Sequence, residues 1–588
     1  MFLTLFYIAI AGTIPPIVEG KKTNPLIIKA QNIPAQSNRD CLALARRANR
    51  FLQPTPSLQP SVPEERPVEV ISLDDSFPLQ EIPDNQSTEQ STEVCINGFT
   101  GNTIFDHEIK NKINNIIGFL EGCSVTWKQL QEVTNEITNL YLEGGYLTSR
   151  AVPKQVSDDE FQIFIIEGKI LDNNIEIEGT NRLHKSYIRN RIKLGIGLPL
   201  NVEKLENQLR LLLADPLLKN VEATLKAKNL GESILEVKVT EADPVEGGLS
   251  FDNYSAPSIG SERTGISLVY RNLTGIGDQL AGNYYFTFED GSDIWNFTYS
   301  APLNPRNGTL QLTGDINRNQ ITQSPLDEFD IEGESERYEI SYRQPLVRSP
   351  REEFALSLGL TFQDGQTFVF DQPTPFGIGP DEDGISRTSV FKFSQDYILR
   401  DLQGAWSFRS LFSFGTGLFD ATTNDDPIPD GHFFSWLIQG QRVQRIANNQ
   451  LLIVQLDLQL TPDSLLPSQQ FVIGGGESVR GYRQNVRSGD NGLRLSIEDR
   501  ITLVRDETGN SIFQVAPFID LGAIWNVSNN PNSLLDQRFL LGSGLGILWQ
   551  PEPKLNIRLD YGLPFVDLDD RGDNIQDDGL YFNVIYGF

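Results

Sequence analysis

The segment EFALSLGLTFQ (353–363) alternates strictly between two kinds of side chain. Large apolar residues occupy every second position, and small or polar residues fill the positions between them. The apolar set is Phe354, Leu356, Leu358, Leu360 and Phe362. Because successive side chains of a strand point to opposite faces, this pattern predicts a β-strand with one apolar face. The segments LLIVQLDLQL (451–460) and KLNIRLDYG (554–562) predict further strands of the same kind.

The alternation continues through residues 245–588, where acidic loops rich in Gly, Pro and Asn separate the segments. A water-soluble β-sandwich would also alternate, so the pattern alone does not require a membrane. The length of the region and the aromatic residues near strand ends favour a transmembrane β-barrel, which is apolar outside and polar inside. These aromatics are Tyr284, Tyr285, Phe286, Trp295, Phe297 and Tyr299. At about 21 residues per strand and connection, the region holds roughly sixteen antiparallel strands.

Before the barrel, one order of elements occurs twice. Residues 94–169 and 170–243 each predict strand, helix, helix, strand, strand. Each unit can cover one face of a small sheet with two helices, so the repeat predicts two small α+β domains.

The N-terminal region is poor in ordered patterns. Residues 1–18 form an apolar stretch, broken by Gly12 and by Pro15 and Pro16, that predicts a signal peptide over 1–19, although the usual basic start is missing. Residues 20–93 form a Pro-rich linker with one amphipathic helix predicted at 39–53, whose polar face carries Arg46, Arg47 and Arg50. The alternative for this segment is a weakly ordered tail.

Composition excludes several classes of function. With 78 acidic and 49 basic residues the net charge is −29, which argues against a nucleic-acid partner. The three histidines lie far from the cysteines, so no metal site or cofactor is expected. No nucleophile lies near a base in the sequence, so we expect no enzyme. For Cys95 and Cys123, a disulfide and two buried thiols remain equal alternatives.

A glycine-rich turn, VIGGGESVRGYRQN (472–485), raises the question of what it holds. A phosphate loop would continue with Lys and Ser or Thr, or open a helix. Here Val479, Arg480, Gly481 and Tyr482 follow the glycines, which argues against a phosphate.

Two repeats, a barrel and this VRGY motif together resemble the haemolysin secretion/activation (TpsB, ShlB/FhaC/HecB) family of two-partner secretion transporters, in the superfamily of the BamA-like insertases. Several segments carry the resemblance. GGYLTSRAVPKQ and IFIIEGKI resemble the end of the family's first POTRA domain, NLTGIGDQL and YRQPLVRSPREEFALSLGL its early barrel strands, and GGGESVRGY its sixth loop.

The resemblance implies that the VRGY loop folds back into the pore. Its arginine would then meet the aspartate of an F-x-D-x-G motif, which here is Phe518, Asp520 and Gly522. Gly481 would allow a tight turn and Gly522 would leave room at the wall. The alternative is a surface loop with solvated arginines.

The resemblance also implies a function: outer-membrane translocation of a large secreted TpsA-like protein, captured unfolded by periplasmic POTRA domains. Helix 39–53 would plug the resting pore, and Phe588 would end the strand that barrel-assembly machinery reads. Further expected partners are periplasmic chaperones and outer-membrane lipid, and the chain is expected to be a monomer. The edge strand proposed for cargo binding is Tyr146, Leu147, Thr148, Ser149, Arg150, Ala151 and Val152. The alternatives are a barrel insertase and a passive pore or adhesin.

Overall fold

The computed structural model describes residues 71–73, 93–101, 107–118, 124–157 and 160–588. The predicted signal peptide, the helix predicted at 39–53 and Cys123 lie outside these residues. Cys95 lies in a strand, but its side chain is not among those described. Among the described residues, no helix is both long and apolar enough to cross a membrane.

The first domain is a four-stranded sheet covered by two helices. A short strand, β1 (Ile71–Leu73), precedes this domain in the chain but belongs to the sheet of the second domain. The first domain contains β2 (Glu93–Gly101), α1 (His107–Gly118), β3 (Ser124–Thr126), α2 (Trp127–Glu143), β4 (Arg150–Ser157) and β5 (Glu160–Ile166). The sheet order is β3-β2-β5-β4, with β2 and β5 parallel. Thr126 and Gln129 cap α2 reciprocally, which explains why the helix begins there. Both helices bury apolar faces against the sheet, through Ile113, Leu130 and Ile137 among others.

The second domain repeats this plan. It contains β6 (Lys169–Glu178), α3 (Lys185–Ile192), α4 (Val202–Leu213), β7 (Leu218–Asn229) and β8 (Glu232–Glu241). Its sheet order is β1-β7-β8-β6, so the short strand β1 from the linker is added in parallel to the edge strand β7. The apolar faces of α3 and α4 fill a core with the inner faces of these strands.

The strand predicted at 146–152 is wrong in its first half. Residues 144–149 form turns, and β4 begins only at Arg150. Gly145 adopts a φ of +81°, and the Tyr146 N–H donates to the Tyr141 carbonyl oxygen at 2.9 Å. The Tyr146 ring packs edge-on against Tyr141, so the core draws this residue away from the sheet edge.

The barrel is a closed antiparallel sheet of sixteen strands, and this prediction is confirmed. They are β9 (Val245–Asp252), β10 (Arg263–Arg271), β11 (Gln279–Thr287), β12 (Ser292–Pro302), β13 (Thr309–Gln320), β14 (Ile331–Arg348), β15 (Glu352–Val369), β17 (Ile385–Asp401), β18 (Gly404–Thr416), β19 (Phe434–Ala447), β20 (Gln450–Leu460), β23 (Asn491–Arg505), β24 (Ser511–Trp525), β25 (Phe539–Glu552), β26 (Leu555–Pro564) and β27 (Leu580–Gly587). The two-residue β16 (Gln372–Pro373) extends the hairpin between β15 and β17, while β21 (Phe471–Ile473) and β22 (Arg487–Gly489) form a separate ribbon.

The predicted alternation separates the two faces of the barrel wall. On β15, Leu358 has 65% of its surface exposed, as expected for a side chain that faces lipid. On β20, Asp457 is fully buried and accepts from Arg494 Nε at 2.6 Å inside the barrel. The last strand, β27, closes the barrel by pairing with β9 between Asn583/Asp252 and Gly587/Gly248. Phe588 extends the closure, since its N–H donates to the Gly247 carbonyl oxygen at 2.9 Å.

The turn between β10 and β11 rests on the second domain. The His184 N–H donates to the Gly275 carbonyl oxygen at 2.9 Å, and Arg182 donates to the Asn272 carbonyl oxygen at 2.7 Å. Glu241 accepts hydrogen bonds from three successive backbone N–H groups, 181–183. Burial acts to raise the pKa of Glu241, but these hydrogen bonds outweigh it and hold the pKa below its ordinary value. The second domain is therefore fixed beneath one side of the barrel mouth.

Candidate functional site

The connection between β20 and β23, residues 461–490, folds into the barrel and is called the lumen loop below. Its ribbon of β21 and β22 packs against the wall strand β24 through Ile473 and Ile524. From Phe471 to Asp490, all residues are buried except Gly476, Glu477 and Arg483. A loop on the outer surface would be largely exposed, so the structure excludes the surface-loop alternative.

At the tip of the lumen loop, Arg480 binds Asp520 on β24. Arg480 Nε and Nη2 lie 2.6 and 2.9 Å from the two carboxylate oxygens, so the bond is bidentate. The Arg480 backbone N–H also donates to Asp520 Oδ2 at 3.2 Å, and Ser496 Oγ donates to Oδ1 at 2.6 Å. The guanidinium carbon lies 3.4 Å from the centre of the Phe518 ring, in cation–π geometry.

The pair belongs to a larger ionic cluster on the wall. Glu498 on β23 accepts from Arg480 Nη1 at 2.7 Å, from Arg500 Nε at 2.7 Å and from Arg558 Nη2 at 2.6 Å. Asp560 on β26 accepts from Arg558 Nε at 2.6 Å. Three arginines thus face three carboxylates, with Asp520 and Asp560 fully buried. Charge balance and dense hydrogen bonding keep these buried ions from being stranded.

A bed of glycines lets the tip approach the wall closely. A Cβ atom at Gly542 would come within 1.9 Å of the Arg480 carbonyl oxygen, and one at Gly562 within 2.6 Å of the Gly481 nitrogen. Gly481 itself adopts a φ of +102°, which disfavours any other residue. At Gly522 an added Cβ would meet Val479 at 2.9 Å. The tip can be seated only where β24, β25 and β26 lack side chains.

Neutral contacts also fix the tip. Tyr581 Oη donates to the Tyr482 carbonyl oxygen at 2.6 Å and accepts from the Gly481 N–H at 2.9 Å. Tyr482 Oη donates to the Leu541 carbonyl oxygen at 2.8 Å. Val479 is fully buried in an apolar cluster with Ile473 and Ile524. All four residues of the VRGY motif therefore contact the wall or the apolar cluster beneath it.

The acidic segment before β27, residues 567–579, is not a free loop. Arg483 of the lumen loop binds Asp577 through Nε and Nη2, at 2.8 and 2.5 Å. Arg487 binds Asp570 with both terminal nitrogens, at 2.9 and 2.7 Å. This segment holds the lumen loop by a second set of ion pairs, apart from those of Arg480.

Only part of this site is predicted from the sequence. The predicted residues Arg480, Asp520, Phe518 and Gly522 lie together in the structure. Glu498, Arg558 and Asp560 are not predicted, although the last two stand on the polar face of the alternating segment KLNIRLDYG. Gly542 and Gly562 are not predicted either, since glycines are common in the barrel segments and nothing local marks these two.

The proposed cargo strand is less open than its sequence indicates. The Ala151 N–H points away from the neighbouring strand β5, and it already donates to Thr138 Oγ1 on α2 at 3.0 Å. Pro153, two residues along on the same edge, has no N–H. A chain added to β4 would find neither donor available, which disfavours strand addition at 150–153.

The resemblance inferred from sequence agrees with comparisons to known proteins. The family described as haemolysin secretion/activation protein ShlB/FhaC/HecB matches residues 231–548, and the ShlB-type POTRA domain matches residues 96–168. The outer membrane transporter CdiB of Dickeya dadantii (strain 3937) is 21% identical over 382 residues, 64% of this chain and 66% of that protein. The heme/hemopexin transporter protein HuxB of Haemophilus influenzae (strain 86-028NP) is 20% identical over 427 residues, 69% of this chain and 71% of that protein. These alignments span about two thirds of each relative's length.

Solved structures share the fold over nearly the whole chain. CdiB from Escherichia coli superimposes with a TM-score of 0.66 at 18% identity, covering 94% of this chain and 97% of that one. CdiB from Acinetobacter baumannii gives a TM-score of 0.59 at 17% identity, covering 94% and 98%. In this family the barrel lies in the outer membrane, the POTRA domains are periplasmic, and the members are transporters rather than enzymes. Because the family match covers more than half of the sequence, the chain belongs to the haemolysin secretion/activation family of outer-membrane transporters.

Proposed function

We propose that this chain carries a large secreted protein across the outer membrane by two-partner secretion. The observation that supports this most is the lumen loop, which crosses a sixteen-stranded barrel and is held at one wall by the Arg480 cluster. The Arg480–Asp520 pair, called the latch below, holds the lumen loop against the wall. A pore whose only task is passive diffusion needs neither this buried latch nor two domains at its periplasmic mouth.

The route begins at the POTRA domains, the two repeat domains described above. The second is held against the β10–β11 turn, so a chain bound there is already at the mouth of the barrel. From there the unfolded cargo enters the lumen beside or past the loop and folds outside. Folding beyond the membrane supplies a driving force, since it removes the chain that could slide back.

The edge of β7 is the docking position we favour within the POTRA domains. β1 already shows that this edge accepts an extended chain, because residues 71–73 pair in parallel with residues 223–225. An extended cargo segment can add in the same way through backbone hydrogen bonds, and would compete with β1. This replaces the position proposed from the sequence, residues 146–152.

The test is to remove the gene and compare the culture medium and the outer membrane by quantitative proteomics, with the gene restored as control. We expect one or a few large secreted proteins to disappear from the medium while other outer-membrane barrels stay at their normal level. A general fall in outer-membrane barrels would make the chain an insertase, and an unchanged medium would contradict the proposal.

A further inference from the structure

A cavity of about 210 Å³ lies where the second POTRA domain meets the periplasmic turns of the barrel. One side is formed by α3 and α4 of the POTRA domain with the residues that follow them, and the other by the β12–β13 turn and the last residues of β14. This space is ample for a phosphate group and its neighbouring atoms.

The charge of this cavity is unlike that of the whole chain. Arg191, Arg306 and Arg348 line it, and Asp215 is the only acidic residue among its lining residues. The site therefore carries a net charge of about +2 in a protein whose net charge is −29. Such an excess of arginine in an acidic protein requires an explanation.

Arg191 is the deepest of the three arginines and is only 7% exposed. Its guanidinium lies 3.4 Å from the centre of the Tyr187 ring and donates to Asn307 Oδ1 at 3.3 Å, a contact that crosses from the POTRA domain to the barrel. Among the described residues, its Nε has no hydrogen-bond partner and no carboxylate forms an ion pair with it. Burial lowers the pKa of Arg191, and Arg348 lowers it further, while Tyr187 and Asp215 act in the opposite direction.

The other two arginines also have capacity to bind an anion. Within the part of the chain that the structure describes, Arg306 is exposed and forms no ion pair. Arg348 is half-buried and forms one long ion pair, with Glu353 at 3.6 Å, while its Nε has no hydrogen-bond partner among the described residues. Arg191 is the buried cation without an ion pair to a described carboxylate, and such a charge is costly, so a bound anion would stabilise this junction.

The position of the cavity favours a membrane lipid as the source of that anion. Leu346, near the end of β14, lines the cavity and is 51% exposed, and Leu194 on the POTRA side is 42% exposed. Apolar side chains beside an arginine pocket, at the level where the barrel leaves the bilayer, suit a headgroup with its acyl chains alongside.

We propose that this cavity binds the phosphate of an anionic headgroup from the periplasmic leaflet, and that the bound lipid joins the second POTRA domain to the barrel. The arginines supply charge-assisted hydrogen bonds to the phosphate oxygens. Neither the secretion of a partner protein nor the position of the cargo is needed for this inference.

The experiment is native mass spectrometry of the full chain in neutral detergent, titrated with phosphatidylglycerol, with an uncharged galactolipid of the same chain length, and with inorganic phosphate. The variants are Arg191→Gln and, because that residue is buried, also the double variant Arg306→Gln/Arg348→Gln, which leaves the Tyr187 contact in place. Arg318→Gln is the matched control, since Arg318 lies near the opposite end of β13 and its side chain is 71% exposed.

We expect one tightly held phosphatidylglycerol per chain, and at least about tenfold weaker binding in each cavity variant, since each loses one or more charge-assisted hydrogen bonds. The Arg318→Gln chain should bind as the unchanged protein does. If inorganic phosphate fails to displace bound phosphatidylglycerol, the ligand is the lipid headgroup. If inorganic phosphate by itself binds as tightly as phosphatidylglycerol does, the ligand is a free anion. Equal retention of the galactolipid, or undiminished phosphatidylglycerol binding in both cavity variants, would overturn the inference.

Discussion

Asp520 accepts hydrogen bonds from the Arg480 guanidinium, from the Arg480 backbone and from Ser496, all inside the barrel wall. Removing this carboxylate leaves three arginines facing two acids in a buried site. Breaking a buried ion pair in this way costs about 3–5 kcal/mol, more than the pair itself contributes. The latch is therefore sensitive to the loss of either partner alone.

We predict that Asp520→Ala and Arg480→Ala each impair secretion of the cargo while the barrel is still assembled. In the double variant two arginines face two acids again, so its defect should be smaller than the sum of the single defects. The measurement is secreted cargo per assembled barrel, and Glu334→Ala, in an exposed pair at 3.7 Å, is the control. Normal secretion by both single variants would show that the latch has no role in transport.

Gly562 is tested by a substitution that adds one methyl group. We predict that Gly562→Ala pushes the tip of the lumen loop from the wall, because the new Cβ would lie 2.6 Å from the Gly481 nitrogen. Gly282→Ala is the matched control, since the atom nearest to its Cβ is 3.7 Å away. Ion conductance of the purified chain in planar bilayers should rise for Gly562→Ala only. A conductance equal to that of the control would mean that the glycine bed does not seat the loop.

Single residues also show where sequence reasoning ends. Arg480 and Asp520 belong to motifs that can be read locally, and the alternation puts Asp560 and Arg558 on the inner face of the barrel. Which inward residues meet across the lumen depends on the register of β23, β24 and β26, which no local pattern contains. The glycine bed is hidden for the same reason.

At the scale of elements, the first POTRA domain contains a buried acid, Glu167, directly after β5. Its side chain is 1% exposed, and its Oε2 has no hydrogen-bond partner among the described residues. Burial raises the pKa of Glu167 to about 7, although a hydrogen bond from Tyr141 Oη, 3.2 Å from Oε1, acts to lower it. The folded domain therefore favours the protonated acid.

This shift predicts a pH-dependent domain. Because the folded pKa lies above the unfolded one, the stabilisation is fully present below about pH 4.5 and is lost as the pH rises through about 7. Hydrogen exchange of the full chain, corrected for intrinsic rates, should show weaker protection of residues 107–166 at pH 8 than at pH 6. Glu167→Gln should remove the difference. The same difference in Glu167→Gln would place its origin elsewhere.

β1 gives a second prediction at this scale. Replacing Ile71 and Ser72 with proline removes two adjacent N–H groups, one of which belongs to the parallel ladder with β7. If β1 and the cargo compete for this edge, cargo should bind the variant more tightly, because the competent state is more populated. The control is Ile71→Ala/Ser72→Ala, which keeps both N–H groups. Unchanged or weaker cargo binding by the proline variant would exclude competition at β7.

The elements divide clearly into those that a sequence reveals and those that it does not. Helices α1, α2 and α4 follow the helical periodicity of the two repeats, and the three alternating segments quoted for the barrel correspond to β15, β20 and β26. The turn at 144–149 was missed because apolar Tyr146 and Leu147 suggested a strand, whereas Gly145 and the pull of the core on Tyr146 decided it. β1 is too short, within a Pro-rich linker, to leave any pattern.

At the scale of the whole molecule, the proposed function makes the barrel lumen a conduit for protein. The two faces of the wall differ in what they can touch. Thr313 on β13 lies opposite Glu339, whose carboxylate binds Lys392 inside the barrel. Ile340, the next residue of β14, points outward and is 45% exposed. The two positions are almost level on the wall and differ mainly in the side that they face.

The most direct measurement is therefore photo-crosslinking in secreting cells, with a photoreactive amino acid placed at position 313 or at position 340. A transported chain should form covalent adducts with the transporter from position 313 and none from position 340, while both variants secrete normally. Adducts from position 340 alone, or continued secretion with no adduct from position 313, would contradict passage of the cargo through the barrel.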